Sequence, residues 1–201
     1  VPLIQDVSCM MGILEYLGCQ CDLDGHRLTI DASTIMSVEI PDEQVKQMRS
    51  SIMLLGPLLG RCGEAMTYSP GGCSIGERPI DLHLYALGCL GAVIREDEDR
   101  IAACCERLTG GLIKLSFPSV GATENILLGA ILAEGATLIC GAANEPEIEE
   151  LCLFLVSMGG QISGIGSSEL TVRGVSQLRD TSYRVCGDRI VTGTYLAAVM
   201  A

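Results

Sequence analysis

Residues 6–31 read DVSCMMGILEYLGCQCDLDGHRLTID, and the same grammar returns twice along the chain. Residues 81–104 read DLHLYALGCLGAVIREDEDRIAAC, and residues 147–172 read EIEELCLFLVSMGGQISGIGSSELTV. Each segment opens on apolar residues at helical spacing: Val7, Met10, Met11 and Leu14; then Leu82, Tyr85, Ala86 and Leu90; then Ile148, Leu151, Cys152 and Leu155. The helix predicted in each stops at a glycine, Gly18, Gly91 or Gly159, a residue that enters the left-handed cap conformation without a side-chain clash. A strand, a polar turn and a second strand follow, the turns falling at Asp24-Gly25, at 97–99 and at Ser167-Ser168.

A second repeated piece lies between these segments. Val38 with Ile40, Ile113 with Leu115, and Tyr183 with Val185 alternate with other residues as half-buried strands do. Each pair precedes a helical stretch: SSIMLLGPLL (50–59), ATENILLGAIL (122–132) and TGTYLAAVMA (192–201). The unit is therefore strand, helix, strand, helix, strand, strand, with a period of about seventy residues. That is too long for the common solenoids and predicts α/β units packed about shared helices in pseudo-threefold fashion. Val1 stands just before a helix, without the helix and strand that open the other units, and Ala201 falls inside a helical pattern. The expectation is a segment of a longer protein.

The totals set limits. The chain has 201 residues, 48% of them hydrophobic, enough for one substantial core. Its net charge of −12 argues against binding nucleic-acid backbone, which needs a basic face, but permits a small anion where a few arginines prevail locally. No apolar run reaches the roughly 18 residues of a membrane span, and no signal segment opens the chain, so a cytoplasmic protein is expected. The eleven cysteines (Cys9, Cys19, Cys21, Cys62, Cys73, Cys89, Cys104, Cys105, Cys140, Cys152 and Cys186) form no C-x-x-C pair, and the histidines are His26 and His83. No metal site is expected from that set, and all the cysteines but Cys73 read as small core residues in a reducing compartment.

Cys73 is set apart by SPGGCSIGERPIDLH (69–83). Pro70-Gly71-Gly72 favours a tight exposed turn. A thiol there, protonated at neutral pH, can donate a proton; with a cation beside it, the thiolate can act as a nucleophile. Arg78 supplies such a cation and can also grip an anion. Pro79 is tolerated where the next helix starts, and Asp81 complements that helix's dipole. A glycine-rich hairpin with a merely exposed cysteine is the other reading. Ser119-Val120-Gly121-Ala122-Thr123 opens a helix with small residues, either as a phosphate-binding N-terminus or as a plain N-cap. Arg49, in QVKQMRSS (44–51), opens a helix in the preceding unit, as a ligand-binding cation or as a solvated surface residue. The three entrances sit in comparable places of the repeat. His83, flanked by Leu82 and Leu84, reads as structural.

PGGCSIGERPIDLH, QMRSSIMLLGPLLGR, FPSVGATENILLGAILAEGAT and NEPEIEELCLFLVSMGGQISG together resemble the UDP-N-acetylglucosamine 1-carboxyvinyltransferases, in order and spacing from Val1 to Ala201. The cysteine loop separates this branch from the related shikimate-using synthases. The resemblance implies an inside-out α/β fold of repeated βαβαββ units in two similar domains. Residues 1–187 would form most of the first, lacking its opening helix and strand, and 188–201 would start the second. It implies transfer of the enolpyruvyl group of phosphoenolpyruvate to the 3′-hydroxyl of UDP-N-acetylglucosamine, with release of phosphate and no cofactor, in peptidoglycan synthesis. Cys73 matches the family's proton donor and its point of capture by fosfomycin. Arg49 and Arg78 match substrate-binding arginines. Arg78, Pro79, Ile80, Asp81 and Leu82 match a nucleotide-sugar-binding run, and Phe117, Pro118, Ser119, Val120 and Gly121 match a run that holds the uridine diphosphate. Some members carry lysine where Phe117 stands, so that charged contact is absent. The partners implied are the two substrates and the rest of the parent chain, with no nucleic acid and no membrane. Since further family site residues lie outside 1–201, this chain alone is expected to have negligible turnover. A non-catalytic nucleotide-sugar-binding domain and a transferase acting on a different alcohol stay open.

Overall fold

The structure, a computed structural model, describes residues 1–69 and 80–201. Its elements follow the predicted grammar. Helix α1 (Gln5–Tyr16) leads into the hairpin β1 (Gln20–Asp24) and β2 (Arg27–Asp31). Helix α2 (Asp42–Gln47), a 3-10 helix (Arg49–Leu54) and α3 (Leu55–Cys62) lead to β3 (Glu64–Tyr68). Helix α4 (Asp81–Cys89) precedes the hairpin β4 (Val93–Asp97) and β5 (Arg100–Cys104). Strand β6 (Leu112–Lys114), α5 (Val120–Ala130), β7 (Ala136–Cys140), α6 (Pro146–Ser157), β8 (Gln161–Ser163) and β9 (Glu169–Arg173) form the next unit, and α7 (Arg189–Met200) follows.

The repeat is visible in the sheets. Strands run β6-β7-β9-β8, with β6 parallel to β7 and the other pairs antiparallel. The preceding unit has β3-β5-β4, both pairs antiparallel, and Glu39 bridges Met66 of β3 in parallel where β6 would lie. Val38 and Ile40 thus form a bridge rather than a full strand: Ile40 N–H donates to Met66 O and Met66 N–H to Val38 O, both at 2.8 Å. The three stop glycines have φ of 104°, 90° and 93° at Gly18, Gly91 and Gly159, the left-handed geometry that marks one cap used three times.

Helices α3, α4 and α5 are inside and the sheets outside. Seven of the eleven residues of α5 are buried, on nearly every side of the helix. Strands β1 and β4 keep at most one partly covered position each, so these hairpins present their backs to solvent. The large fully buried side chains, among them Leu55, Leu59, Leu87, Leu90, Ile126, Leu127 and Ile139, form one core around α3, α4 and α5. Removing such a side chain from water contributes roughly 1.5–3 kcal/mol.

Three expectations are corrected. Residues 50–59 are not one α-helix. Pro57 lacks an N–H and its ring blocks the carbonyl four residues back, so the α-helix begins at Leu55 with Pro57 in its tolerant first turn, after a 3-10 stretch. Tyr183 and Val185 form no strand. Among the described residues no strand pairs with them; Tyr183 instead packs edge-on to Phe154 with ring centroids 5.4 Å apart, and Cys186 N–H donates to Glu150 Oε1. Nor are the cysteines mostly core: Cys19 and Cys152 are buried, whereas Cys62, Cys104 and Cys186 are exposed and the other described ones half-buried. Cys104 ends β5 on its solvent-facing alternate, where an apolar neighbourhood in sequence does not mean burial.

Helices α3 and α5 touch through glycine. A Cβ on Gly56 would stand 2.4 Å from the Asn125 carbonyl oxygen and 2.6 Å from Asn125 Oδ1. Gly56→Ala is expected to destabilise the fold by about 3 kcal/mol, read as a lowered urea midpoint. Gly88→Ala is the matched contrast. Gly88 lies on the exposed side of α4 with open space around it, so alanine there should raise the midpoint by about 0.5–1 kcal/mol.

Candidate functional site

Three chain segments meet at the entrances of the central helices and enclose a cavity of about 780 Å³. The 3-10 helix contributes Arg49, Ser50, Ile52 and Met53. The first turn of α4 contributes Asp81, Leu82 and His83, and the approach to α5 contributes Ser116, Phe117, Ser119, Gly121 and Glu124. Ser119 is the N-cap of α5: its Oγ accepts from Ala122 N–H at 3.3 Å. Thr123 turns back, its hydroxyl donating to Ser119 O at 2.8 Å and accepting from Ala143 N–H at 3.0 Å, which ties the entrance of α5 to the following loop. The first-turn N–H groups of Val120 and Gly121 have no acceptor within the helix, and with the helix dipole they make this end attractive to an anion.

Behind the cavity wall, Asn125 is fully buried. Its Oδ1 accepts from Gly56 N–H at 2.7 Å, and its Nδ2 donates to Ile52 O at 3.0 Å and lies 3.2 Å from His83 Nδ1. One amide therefore binds the end of the 3-10 helix, the start of α3 and the first turn of α4. Gly121 lets His83 close: a Cβ there would stand 3.2 Å from His83 Cε1 and 3.4 Å from Nε2. Burial, and then the Arg49 guanidinium, push His83 from its ordinary 6.5 down to about 4, against a smaller opposing pull from Asp81. The Glu124 carboxyl is held above its ordinary value by burial and by the charge of Glu147.

Of the residues singled out by sequence, Arg49, Asp81, Leu82, Phe117, Ser119 and Gly121 line one cavity. Arg49 is half-buried there and is not a solvated surface residue. Ile80 and Val120 pack instead against the hydrophobic core, since each ends a loop where the chain turns inward. Pro118 is exposed beside the cavity, and Phe117 is 65% exposed at its rim. Cys73, Arg78 and Pro79 lie outside the described residues. The three helix entrances are not all equivalent. Arg49 and Ser119 open the first helical stretch of successive units, whereas Asp81 opens α4, the counterpart of α6. His83 is buried, as its apolar neighbours suggested, lies 3.2 Å from Asn125 Nδ2 through its Nδ1, and also lines the cavity. Glu124 and Asn125 carried no signal in the sequence: both lie within a plain helical run, and only their contacts across helices distinguish them. Among the described residues no group of three His, Cys, Asp or Glu is placed to hold a metal, and no helix is long and apolar enough to cross a membrane.

The chain matches the EPSP synthase (3-phosphoshikimate 1-carboxyvinyltransferase) family over residues 1–201. It is 49% identical over 197 residues to the UDP-N-acetylglucosamine 1-carboxyvinyltransferase 2 of Caldanaerobacter subterraneus subsp. tengcongensis, covering 98% of this chain and 47% of that protein. It is 48% identical over 203 residues to the UDP-N-acetylglucosamine 1-carboxyvinyltransferase of Cellvibrio japonicus, covering 100% of this chain and 48% of that protein. The chain spans about half the length of the curated relatives it matches. Its fold is that of the enolpyruvyl transferase NikO from Streptomyces tendae, with a TM-score of 0.83 at 22% identity over 98% of this chain and 47% of that one. EPSP synthase from Acinetobacter baumannii superposes with a TM-score of 0.63 at 19% identity, covering 87% and 40%.

The depressed His83 has a measurable sign. Between its ordinary 6.5 and about 4, the unfolded chain binds a proton that the native chain refuses, so this group's contribution to stability is lost as pH falls through that window. The full effect is about 3 kcal/mol. Glu124, raised in the fold, works in the opposite sense from just above its ordinary value, so the curve of one protein is not diagnostic. The difference is: denaturant unfolding across the window should give the wild type a steeper loss on acidification than His83→Gln. Parallel curves would refute the assignment.

Proposed function

The chain belongs to the EPSP synthase (3-phosphoshikimate 1-carboxyvinyltransferase) family, and on that premise we propose that it is the first half of an enolpyruvyl transferase acting on UDP-N-acetylglucosamine. The observation that carries this reading is the 48–49% identity to proteins of that name along essentially the whole chain. The cavity supports it. Arg49 and the entrance of α5 offer positive potential to a diphosphate in a chain of net charge −12, and the rim residues Leu82 and Phe117 offer apolar surface to a base or sugar.

The chemistry is an addition followed by an elimination. The Cys73 thiol gives its proton to the methylene carbon of phosphoenolpyruvate, and positive charge develops on the adjacent carbon. The 3′-oxygen of the sugar attacks that carbon and gives up its own proton. The tetrahedral adduct then loses a proton from the new methyl group and expels phosphate, restoring the double bond. Arg78 and Arg49 hold the anions through these steps. The thiolate of Cys73 also opens the epoxide of fosfomycin, leaving a covalent adduct. In this reading residues 1–187 belong to the first domain and 188–201 begin the second, in a cytoplasmic enzyme of cell-wall synthesis on which growth and division depend. Helix α7 fits that division: Ile190, Val191, Tyr195, Leu196 and Val199 are all exposed, and Arg189 ties its start to Glu147 of α6 at 2.8 Å.

The test is phosphate release from phosphoenolpyruvate by the intact protein, with UDP-N-acetylglucosamine or shikimate 3-phosphate as acceptor. Release with the nucleotide sugar is expected, with none from the 201-residue chain alone. Cys73→Ser should cost at least about a hundredfold in kcat. Arg49→Ala should raise KM for the nucleotide sugar about tenfold or more. Turnover with shikimate 3-phosphate alone would overturn the acceptor, and an undiminished Cys73→Ser would overturn the role of the thiol.

A further inference from the structure

We propose that Asn125 is a positioning residue that fixes the tautomer of His83, so that His83 presents a neutral Nε2–H donor to an anionic oxygen of the nucleotide sugar. The tautomer follows from the hydrogen bonds alone; the ligand contact rests on the reading given under Proposed function.

The direction of the Asn125 amide is determined at both ends. Gly56 N–H can only donate, so the atom 2.7 Å from it must be the amide oxygen. Ile52 O can only accept, so the atom 3.0 Å from it must be the amide nitrogen. That nitrogen has a second hydrogen, and the group in its path is His83 Nδ1 at 3.2 Å. A hydrogen on Nδ1 would meet another hydrogen, so Nδ1 accepts and the ring proton resides on Nε2. Asn125 is fully buried, and no other bond pattern serves all three of its partners.

The rest of the ring's surroundings keep it neutral. His83 is 8% exposed, with its Cε1–Nε2 edge against Gly121 at the cavity wall. Arg49 from the 3-10 helix opposes a second proton, Asp81 on α4 favours one less strongly, and Glu124 on α5 lines the same cavity. Burial decides the balance against the imidazolium. A donor that does not titrate near neutrality serves an anionic ligand at constant strength, where an ordinary histidine would fade as pH rises. The other tautomer would turn a lone pair on Nε2 toward the anion, and the contact would become repulsive.

The experiment is nitrogen-15 NMR of the imidazole in the intact, ligand-free protein, followed by titration with UDP-N-acetylglucosamine from pH 5.5 to 8 (roughly the window in which an unperturbed histidine titrates). The expected result is a pyridine-type Nδ1 and a protonated Nε2 throughout, with the Nε2 resonance moving on ligand addition and an affinity flat in pH. Asn125→Asp places a carboxylate at Nδ1, which draws a proton there. In that variant, affinity should fall about tenfold as pH rises and the imidazolium loses its Nε2 proton. A proton on Nδ1 of the wild type overturns the positioning role, and this measurement stands even if Asn125→Asp fails to fold. A ligand that binds without moving Nε2 overturns the donor role. If the wild type has the stated tautomer and Asn125→Asp switches it, yet UDP-N-acetylglucosamine does not bind, the positioning role holds and the nucleotide-sugar reading fails.

Discussion

Helices α3 and α5 cross so closely that backbone lies against backbone, and the site depends on that crossing. Gly56 removes the side chain that would strike Asn125, and Gly129 faces it with its own Cβ position 3.6 Å from the Gly56 Cα. Close approach creates a problem as well as a core. The first N–H groups of α3 and the last carbonyls of the 3-10 helix are buried at the crossing, where an unpaired polar group costs about 1–3 kcal/mol. Asn125 accepts from Gly56 N–H and donates a second bond to Ile52 O, which also accepts from Leu55 N–H. Its remaining hydrogen then reaches His83 and carries the constraint into α4. The packing of two helices thereby holds three chain segments in register around one cavity.

The electrostatics of the cavity run against those of the chain. A net charge of −12 repels anions at long range, so capture of an anionic ligand must rely on short-range features. In the proposed reading these are Arg49, the first N–H groups of α5 that have no acceptor within the helix, and a histidine kept uncharged but able to donate. Asp81 and Glu124 share the same walls, and burial, with the charge of Glu147, holds the Glu124 carboxyl above its ordinary value. Burial does two things at once: it makes the few donors stronger and one of the acids weaker.

Much of this was legible in the sequence because it is local. The helix–glycine–hairpin pattern at Gly18, Gly91 and Gly159 gave the repeat, since a cap, a period and a turn are each decided within a few residues. Ser119 and Arg49 were legible as helix entrances for the same reason. What failed to be legible depends on neighbours distant in the chain. Tyr183 and Val185 alternate like a strand, but a strand needs a partner, and Glu150 and Phe154 took those contacts instead. Cysteines beside aliphatic residues were read as buried, yet alternation along β5 sends Cys104 to solvent. Asn125 looks like any polar residue in a helix until Gly56, Ile52 and His83 are brought to it from 69, 73 and 42 residues away.

The repeat also explains why the site lies where it does. With helices at the centre and sheets around them, the flanks of α3 and α5 are committed to packing and only their ends are free to meet a ligand. Equivalent entrances arise in each unit, but the two have diverged. Ser119 caps α5 with its own hydroxyl on Ala122 N–H, and the proposed function draws on the first-turn N–H groups of Val120 and Gly121 that have no acceptor within the helix. In the preceding unit the α-helix starts at Leu55 with Pro57 in its first turn, and the 3-10 helix before it opens on Arg49, which lines the cavity. One architectural position thus supplies backbone donors in one unit and a guanidinium in the other. A diphosphate, with its charge spread over two phosphorus centres, is suited to a cavity whose two sides offer those different kinds of donor.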